Sequence, residues 1–179
     1  MWVPILIIVL GGIVFWAYNS LVRLRVQAES AWSDIDVQLK RRHDLIPNLV
    51  ETVKGYAAHE RGTLEAVIEA RSKAQQATTP AEKAQAEGVL TGTLKSLFAL
   101  AEAYPQLRAA ENFTQLQGTL ADIEEAVQNA RRYYNAVVRD LNTKIAQFPT
   151  NLIALTFGFK PREFFELAAE EREVPKVSF

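Results

Sequence analysis

The chain offers few side chains that could do chemistry. Its two histidines are His43 and His59. A di-metal carboxylate centre in a helical protein uses Glu-x-x-His pairs on inward helix faces. Three residues before His43 stands Lys40, and three before His59 stands Tyr56, so that pattern is absent. The adjacent pair His59-Glu60 points to two faces of a helix and cannot form one ligand set. With no cysteine, thiolate metal sites, disulfides and a cysteine nucleophile are excluded. Ser33, Asp34 and Asp36 lie close in sequence, but no Gly-x-Ser-x-Gly elbow exists, and carboxylates two residues apart face apart on a helix. The eight glycines are scattered rather than gathered into a phosphate-binding loop. The sequence therefore assigns no catalytic residue, no metal ligand and no cofactor. The reading is of a non-enzyme. An enzyme would need a polar pocket within the helical body, around Glu60, Arg71 and Arg131.

More informative are polar residues on or beside apolar helix stripes. Glu60, Arg71, Glu102 and Arg131 are candidates for buried or half-buried ion pairs, with Tyr104 and Tyr134 as hydrogen-bonding partners. Such groups commonly specify helix register. That reading is preferred to a ligand site. Asn112-Phe-Thr114 matches a glycosylation sequon, a short pattern placed in an expected helix.

The elements that must position these residues are helices. Alanine, the strongest helix former, and leucine dominate the composition. The formal net charge is −1 and no run is basic enough to offset it, which excludes nucleic-acid binding through bulk positive charge. The first charged side chain is Arg23. About 20 apolar residues cross the hydrocarbon of a bilayer, and residues 2–22 meet that length. Trp2 lies at one end, Trp16 and Tyr18 near the other, where amphipathic rings favour the headgroup zone. A signal peptide would show a basic flank before the apolar core and a small-x-small cleavage site after it, and neither is present. Arg23 and Arg25 follow the span, so the positive-inside rule predicts a single-pass inner-membrane protein with a cytoplasmic helical domain.

Beyond the span, Leu21, Leu24, Ala28, Ala31, Ile35 and Leu39 form one stripe. Lys40-Arg41-Arg42 then reads as a cationic helix end that complements the dipole. A second helix is expected from Asp44, with Pro47 in its first turn and a possible break or bend admitted near His59 to Gly62. Thr79-Pro80-Ala81-Glu82 reads as a capping box opening a third helix, which Pro105 ends. Phe113 through Phe148 follows steps of three and four and makes the fourth. Each helix has one stripe to bury, so the predicted fold is all-α: an N-terminal transmembrane helix continuing into an antiparallel long-helix, four-helix bundle, with turns near 43 and 78. The expected divisions are an anchor over 1–22, a helical bundle over 23–150, and an apolar strap with a weakly ordered tail over 151–179.

In an up-down bundle the end of the fourth helix returns to the bilayer. There Leu152, Ile153, Leu155, Phe157 and Phe159 form a candidate membrane-proximal apolar contact. The segment either packs over the bundle end or dips into the interface. Packing is the expected outcome, because the segment carries no basic cluster. Pro161 to Glu166 is compatible with a short helix, and Glu170 to Pro175 reads as a frayed tail.

Several long segments resemble the LemA family of bacterial membrane-anchored proteins: Tyr18 to Val22, Ala31 to Arg42, Asp44 to Tyr56, His59-Glu60, Ala70 to Ser72, Ala103 to Leu107, Glu111 to Gln117, Ala130 to Val137 and Phe148 to Leu152. The resemblance covers nearly the whole chain and is weakest over 73–95 and after 160. It implies a short N-terminal anchor followed by a long-helix bundle, and no catalytic residue to carry over. A family relative in magnetosome-forming bacteria is associated with building that organelle's membrane, which makes a membrane-organising role conceivable. The leading expectation is a membrane-anchored scaffold or interaction module. It holds the lipid bilayer through residues 2–22 and contacts an unknown protein partner or a second copy of itself. The alternative is a membrane-shaping or lipid-binding protein that self-associates.

Overall fold

A computed structural model describes residues 2–166. Its order is α1 (Trp2–Lys54), α2 (Arg61–Gln76), α3 (Pro80–Glu102), α4 (Pro105–Arg108), α5 (Glu111–Ala146) and α6 (Thr150–Thr156), with no strand among the described residues. The all-α class holds. The helix boundaries differ most from expectation in the first half of the chain. There is no turn near 43, and residues 44–54 belong to α1.

The reason is visible in the burial pattern. Ile35, Leu39, Arg42, Ile46, Leu49 and Val53 follow one another at steps of three and four, and all six are buried. The stripe runs straight through the basic triplet, so Arg42 is a core residue and not a solvated helix end. Lys40 and Arg41, on other faces, are exposed. Pro47 lies inside α1 on the exposed side. The break comes instead at Gly55–Glu60, where Tyr56 and Ala57 both donate to the Val53 carbonyl.

Contacts divide the described chain into two units. One takes 37–127 with 165 and 166. Its core is Ile46, Leu49, Val50 and Val53 of α1, Leu64, Val67, Ala70 and Ala74 of α2, Leu90, Leu94, Leu97 and Ala101 of α3, and Leu107, Phe113 and Leu120 beyond. Apolar burial of this kind stabilises by roughly 1.5–3 kcal/mol per large side chain. α2 and α3 form a hairpin. Thr79 opens α3 with a complete capping box: its hydroxyl accepts from the Glu82 amide, and the Glu82 carboxylate accepts from the amides of Thr78 and Thr79. Pro105 ends the α3 run as expected and opens α4.

The other unit takes 2–36 and 128–164. Ala17, Leu21, Ala28, Ala31 and Ile35 of α1 are buried there, as are Tyr134, Val137, Val138 and Leu141 of α5 and Ala154 of α6. Residues 2–16 of α1 are all exposed, although most are large and apolar. Residues 159–166 form no helix, contrary to the expectation for Pro161 to Glu166. That stretch is tied to α5 by the Asn142 side-chain amide, which donates to the Arg162 carbonyl and accepts from its amide, each at 2.9 Å. The tail expected over 170–175 lies outside the described residues.

Candidate functional site

The most concentrated chemistry is a buried charge network in the 37–127 unit. Arg42 of α1 is 2% exposed. Its Nη1 donates to Glu87 Oε2 at 2.6 Å, and its Nη2 meets Thr91 Oγ1 at 2.8 Å and Glu124 Oε1 at 2.6 Å. The second Glu87 oxygen lies 2.6 Å from His43 Nε2. Glu87 thus holds two consecutive α1 side chains with its two oxygens. Glu87 is buried, whereas Glu124 is half-buried. Arg42 Nε is the one buried side-chain polar atom among the described residues without a hydrogen-bond partner.

A buried guanidinium carries a desolvation penalty of several kcal/mol, which mutual attraction offsets only with good geometry. Here that geometry ties α1 to α3 twice and to α5 once. Two charged partners and a hydroxyl converge on one fork, which suits arginine and not lysine. The arrangement resembles a register lock.

Arg71 of α2 completes it in an unexpected way. Pro47 has no N–H, so the carbonyl four residues earlier, that of His43, loses its helical donor. Arg71 Nε donates to that carbonyl at 2.7 Å. A side chain from another helix thereby satisfies the backbone group that the proline leaves open, and an interior proline becomes tolerable in α1.

Beside the network runs an open cleft of about 330 Å³, walled by Leu94, Phe98 and Leu120 and edged by Arg42, Lys95 and Glu124. Among the described residues no group of histidine, cysteine, aspartate and glutamate is gathered for a metal ion.

The residues singled out from sequence fall in separate places. Tyr104 Oη donates to Glu60 Oε1 at 3.4 Å, a half-buried contact. Arg71 serves the His43 carbonyl. Glu102 is exposed near the end of α3 and belongs to no core network. Arg131 is half-buried on α5 and is engaged. Tyr134 is buried in the other unit, with its ring 5.2 Å from that of Trp32 and its hydroxyl donating to the Glu163 carbonyl at 2.9 Å. Burial raises the Tyr134 phenol above its usual range, against the pull of the Arg162 charge, and Glu163 adds to the rise.

Sequence reasoning missed Arg42, His43 and Glu87. A signal existed for two of them. Arg42 sits three residues after Leu39 on the stripe, and Glu87 three before Leu90 on the stripe of α3. A charge in step with an apolar stripe marks a buried pair as readily as a helix end.

The apolar candidates after α5 sit in the unit that contains residues 2–36. Tyr18 packs edge-on against Phe157 at 4.9 Å and against Phe159 at 5.9 Å. Lys144 Nζ lies 4.5 Å from the Trp16 ring centre, and the Arg25 guanidinium 5.3 Å from that of Phe159. Phe159 and Ile153 are half-buried, whereas Leu152, Leu155 and Phe157 are exposed. The cations missing from the segment's own sequence are supplied by α1 and α5.

The sequence model of the LemA family matches residues 31–179. A protein named Protein LemA, from Metamycoplasma hominis, is 27% identical over 169 residues, covering 90% of this chain and 76% of the relative. The magnetosome protein MamQ of Magnetospirillum gryphiswaldense is 25% identical over 174 residues, covering 83% of this chain. Magnetosome protein MamQ 2 of Paramagnetospirillum magneticum is 24% identical over 175 residues, with the same coverage. The chain spans about 64% of the length of each of these two magnetosome proteins. With the family matched over most of its length, including every residue of the buried network, this chain belongs to the LemA family.

Proposed function

We propose that the chain is a scaffold or interaction module tethered to a bacterial inner membrane by residues 2–22. One observation carries this reading. The strongest polar chemistry of the 37–127 unit joins its own helices together, while residues 2–16 of α1 present large apolar side chains that stay exposed among the described residues. α1 is long and apolar enough to cross a membrane. A chain whose polar groups are committed to helix register keeps its outer surface for a partner. Ile68 on α2 and Val89 on α3 are exposed large apolar residues suited to contacting one.

A cytoplasmic body follows from the positive-inside rule. Residues 1–28 and 141–162 hold Arg23, Arg25, Lys144, Lys160 and Arg162 and no acidic residue. The sidedness rests on Arg23 and Arg25, the two cations that directly follow the span.

In-cell photo-crosslinking from Ile68 and Val89, with the chain shown to resist alkaline extraction from membranes, tests the proposal. A discrete protein adduct whose identified partner crosslinks back to this chain is the expected result. Extraction by alkali would overturn the anchor. An integral chain with no protein adduct from either face would overturn the interaction role.

A further inference from the structure

We propose that α6, together with Phe148, lies in the membrane interface as a second, non-spanning contact with lipid. This deepens the anchored reading above and rests on it.

α6 is amphipathic in an unusual sense. At 100° per residue, Thr150 and Ala154 share one face, and both are buried. The opposite face carries Leu152 and Leu155, which are 54% and 84% exposed, and Phe148 just before the helix is 78% exposed. A helix on the water side of a protein normally turns polar groups outward. This one packs its small residues inward and shows leucines.

Its location names the occupant. Phe157 touches Tyr18, and Lys144 at the last turn of α5 touches Trp16. Both aromatic partners lie within the apolar run of α1 that spans the bilayer in this reading. An α6 tied to Tyr18 is therefore held at the depth where the span meets the headgroups. Protein at that level is covered by lipid. Arg25 and Lys144 stand over aromatic rings here, while Arg162 is paired with Glu29 at 2.7 Å. Cations at this level meet lipid phosphates.

The backbone meets the remaining condition. Polar groups entering a bilayer must be satisfied internally. The Asn151 amide donates to the Gln147 carbonyl, and the Leu152 amide donates to Asn151 Oδ1. At the other end Gly158, at φ +72°, closes a Schellman turn: the Phe159 amide donates to the Ala154 carbonyl at 2.9 Å and the Gly158 amide to that of Leu155. The Thr150 and Thr156 hydroxyls donate to carbonyls one turn back. Few polar groups of this helix depend on water.

The chain has no cysteine, so single-cysteine probes are clean. Leu155→Cys, Ile8→Cys and Ser33→Cys, each in the full chain and labelled with an environment-sensitive fluorophore, are reconstituted in phosphatidylcholine–phosphatidylglycerol vesicles. Ser33 lies about 22 Å beyond Tyr18 along α1 and reports water. The expected result is a blue-shifted Leu155 probe that loses most of its emission to lipids spin-labelled near the headgroup, with no change at Ser33. A Leu155 probe that matches Ser33 while Ile8 is quenched by deep labels overturns the α6 contact and leaves the anchor standing. A blue-shifted Leu155 probe that lipid labels do not quench overturns it in favour of a protein cover. An Ile8 probe that no lipid label quenches overturns the anchor and this inference with it.

Discussion

Glu87→Gln tests the central inference that a buried charge network holds the helices in register. The substitution keeps the shape of the side chain and one acceptor oxygen. It removes the charge that faces Arg42 Nη1 and His43 Nε2, each at 2.6 Å. Breaking a buried pair by removing one partner costs about 3–5 kcal/mol. Glu124 still meets Arg42 Nη2 at 2.6 Å, but its side chain is 35% exposed and its attraction is screened, so the lower end, about 3 kcal/mol, applies. For a chain of this length that corresponds to a fall of roughly 6–12 °C in the unfolding midpoint. Arg42→Met removes the other charge, and the double variant replaces the pair with groups that need no counter-charge. Its loss is expected to fall short of the sum of the single losses by about 1–3 kcal/mol. Urea and thermal unfolding of the full chain in lipid nanodiscs, followed by circular dichroism, gives these values. A Glu87→Gln loss below about 1 kcal/mol, or strict additivity with Arg42→Met, would refute the reasoning.

Two further outcomes follow from the geometry. Arg71→Met leaves the His43 carbonyl without the donor that Pro47 cannot supply, at a cost of about 1–3 kcal/mol, and in a Pro47→Ala background, where the helix N–H returns, most of that cost disappears in the same unfolding assay. The Glu82 carboxyl is held below its ordinary value of 4.5 by hydrogen bonds from the Thr79 and Thr78 amides. Its contribution to the α3 cap is therefore complete above pH 4.5 and is lost as pH falls through the lowered value, so the protection of amides at the start of α3, taken relative to their intrinsic exchange at each pH, should fall in acid, and Glu82→Gln should remove that pH dependence. An α3 amide profile that is flat across this range would count against the cap.

Local chemistry wrote much of this fold into the sequence. The capping box at Thr79, the stop at Pro105, the long stripe of α5 and the uncharged run before Arg23 are all read within one or two helical turns, because the forces responsible act over that distance. Where the sequence misled, the deciding partner was remote. Lys40-Arg41-Arg42 looks like a helix end until Glu87 and Glu124, from other helices, neutralise Arg42 and let the stripe continue. Pro47 looks like a helix start until Arg71 takes the carbonyl it strands. Glu102 has a composition suited to a core network, yet only packing turned it to solvent. The apolar residues after Phe148 were legible as a patch, but their place beside Tyr18 was not. A periodicity shows which residues must leave water. Which groups meet there, and whether a buried charge finds its counter-charge, depends on segments brought together only by the tertiary fold.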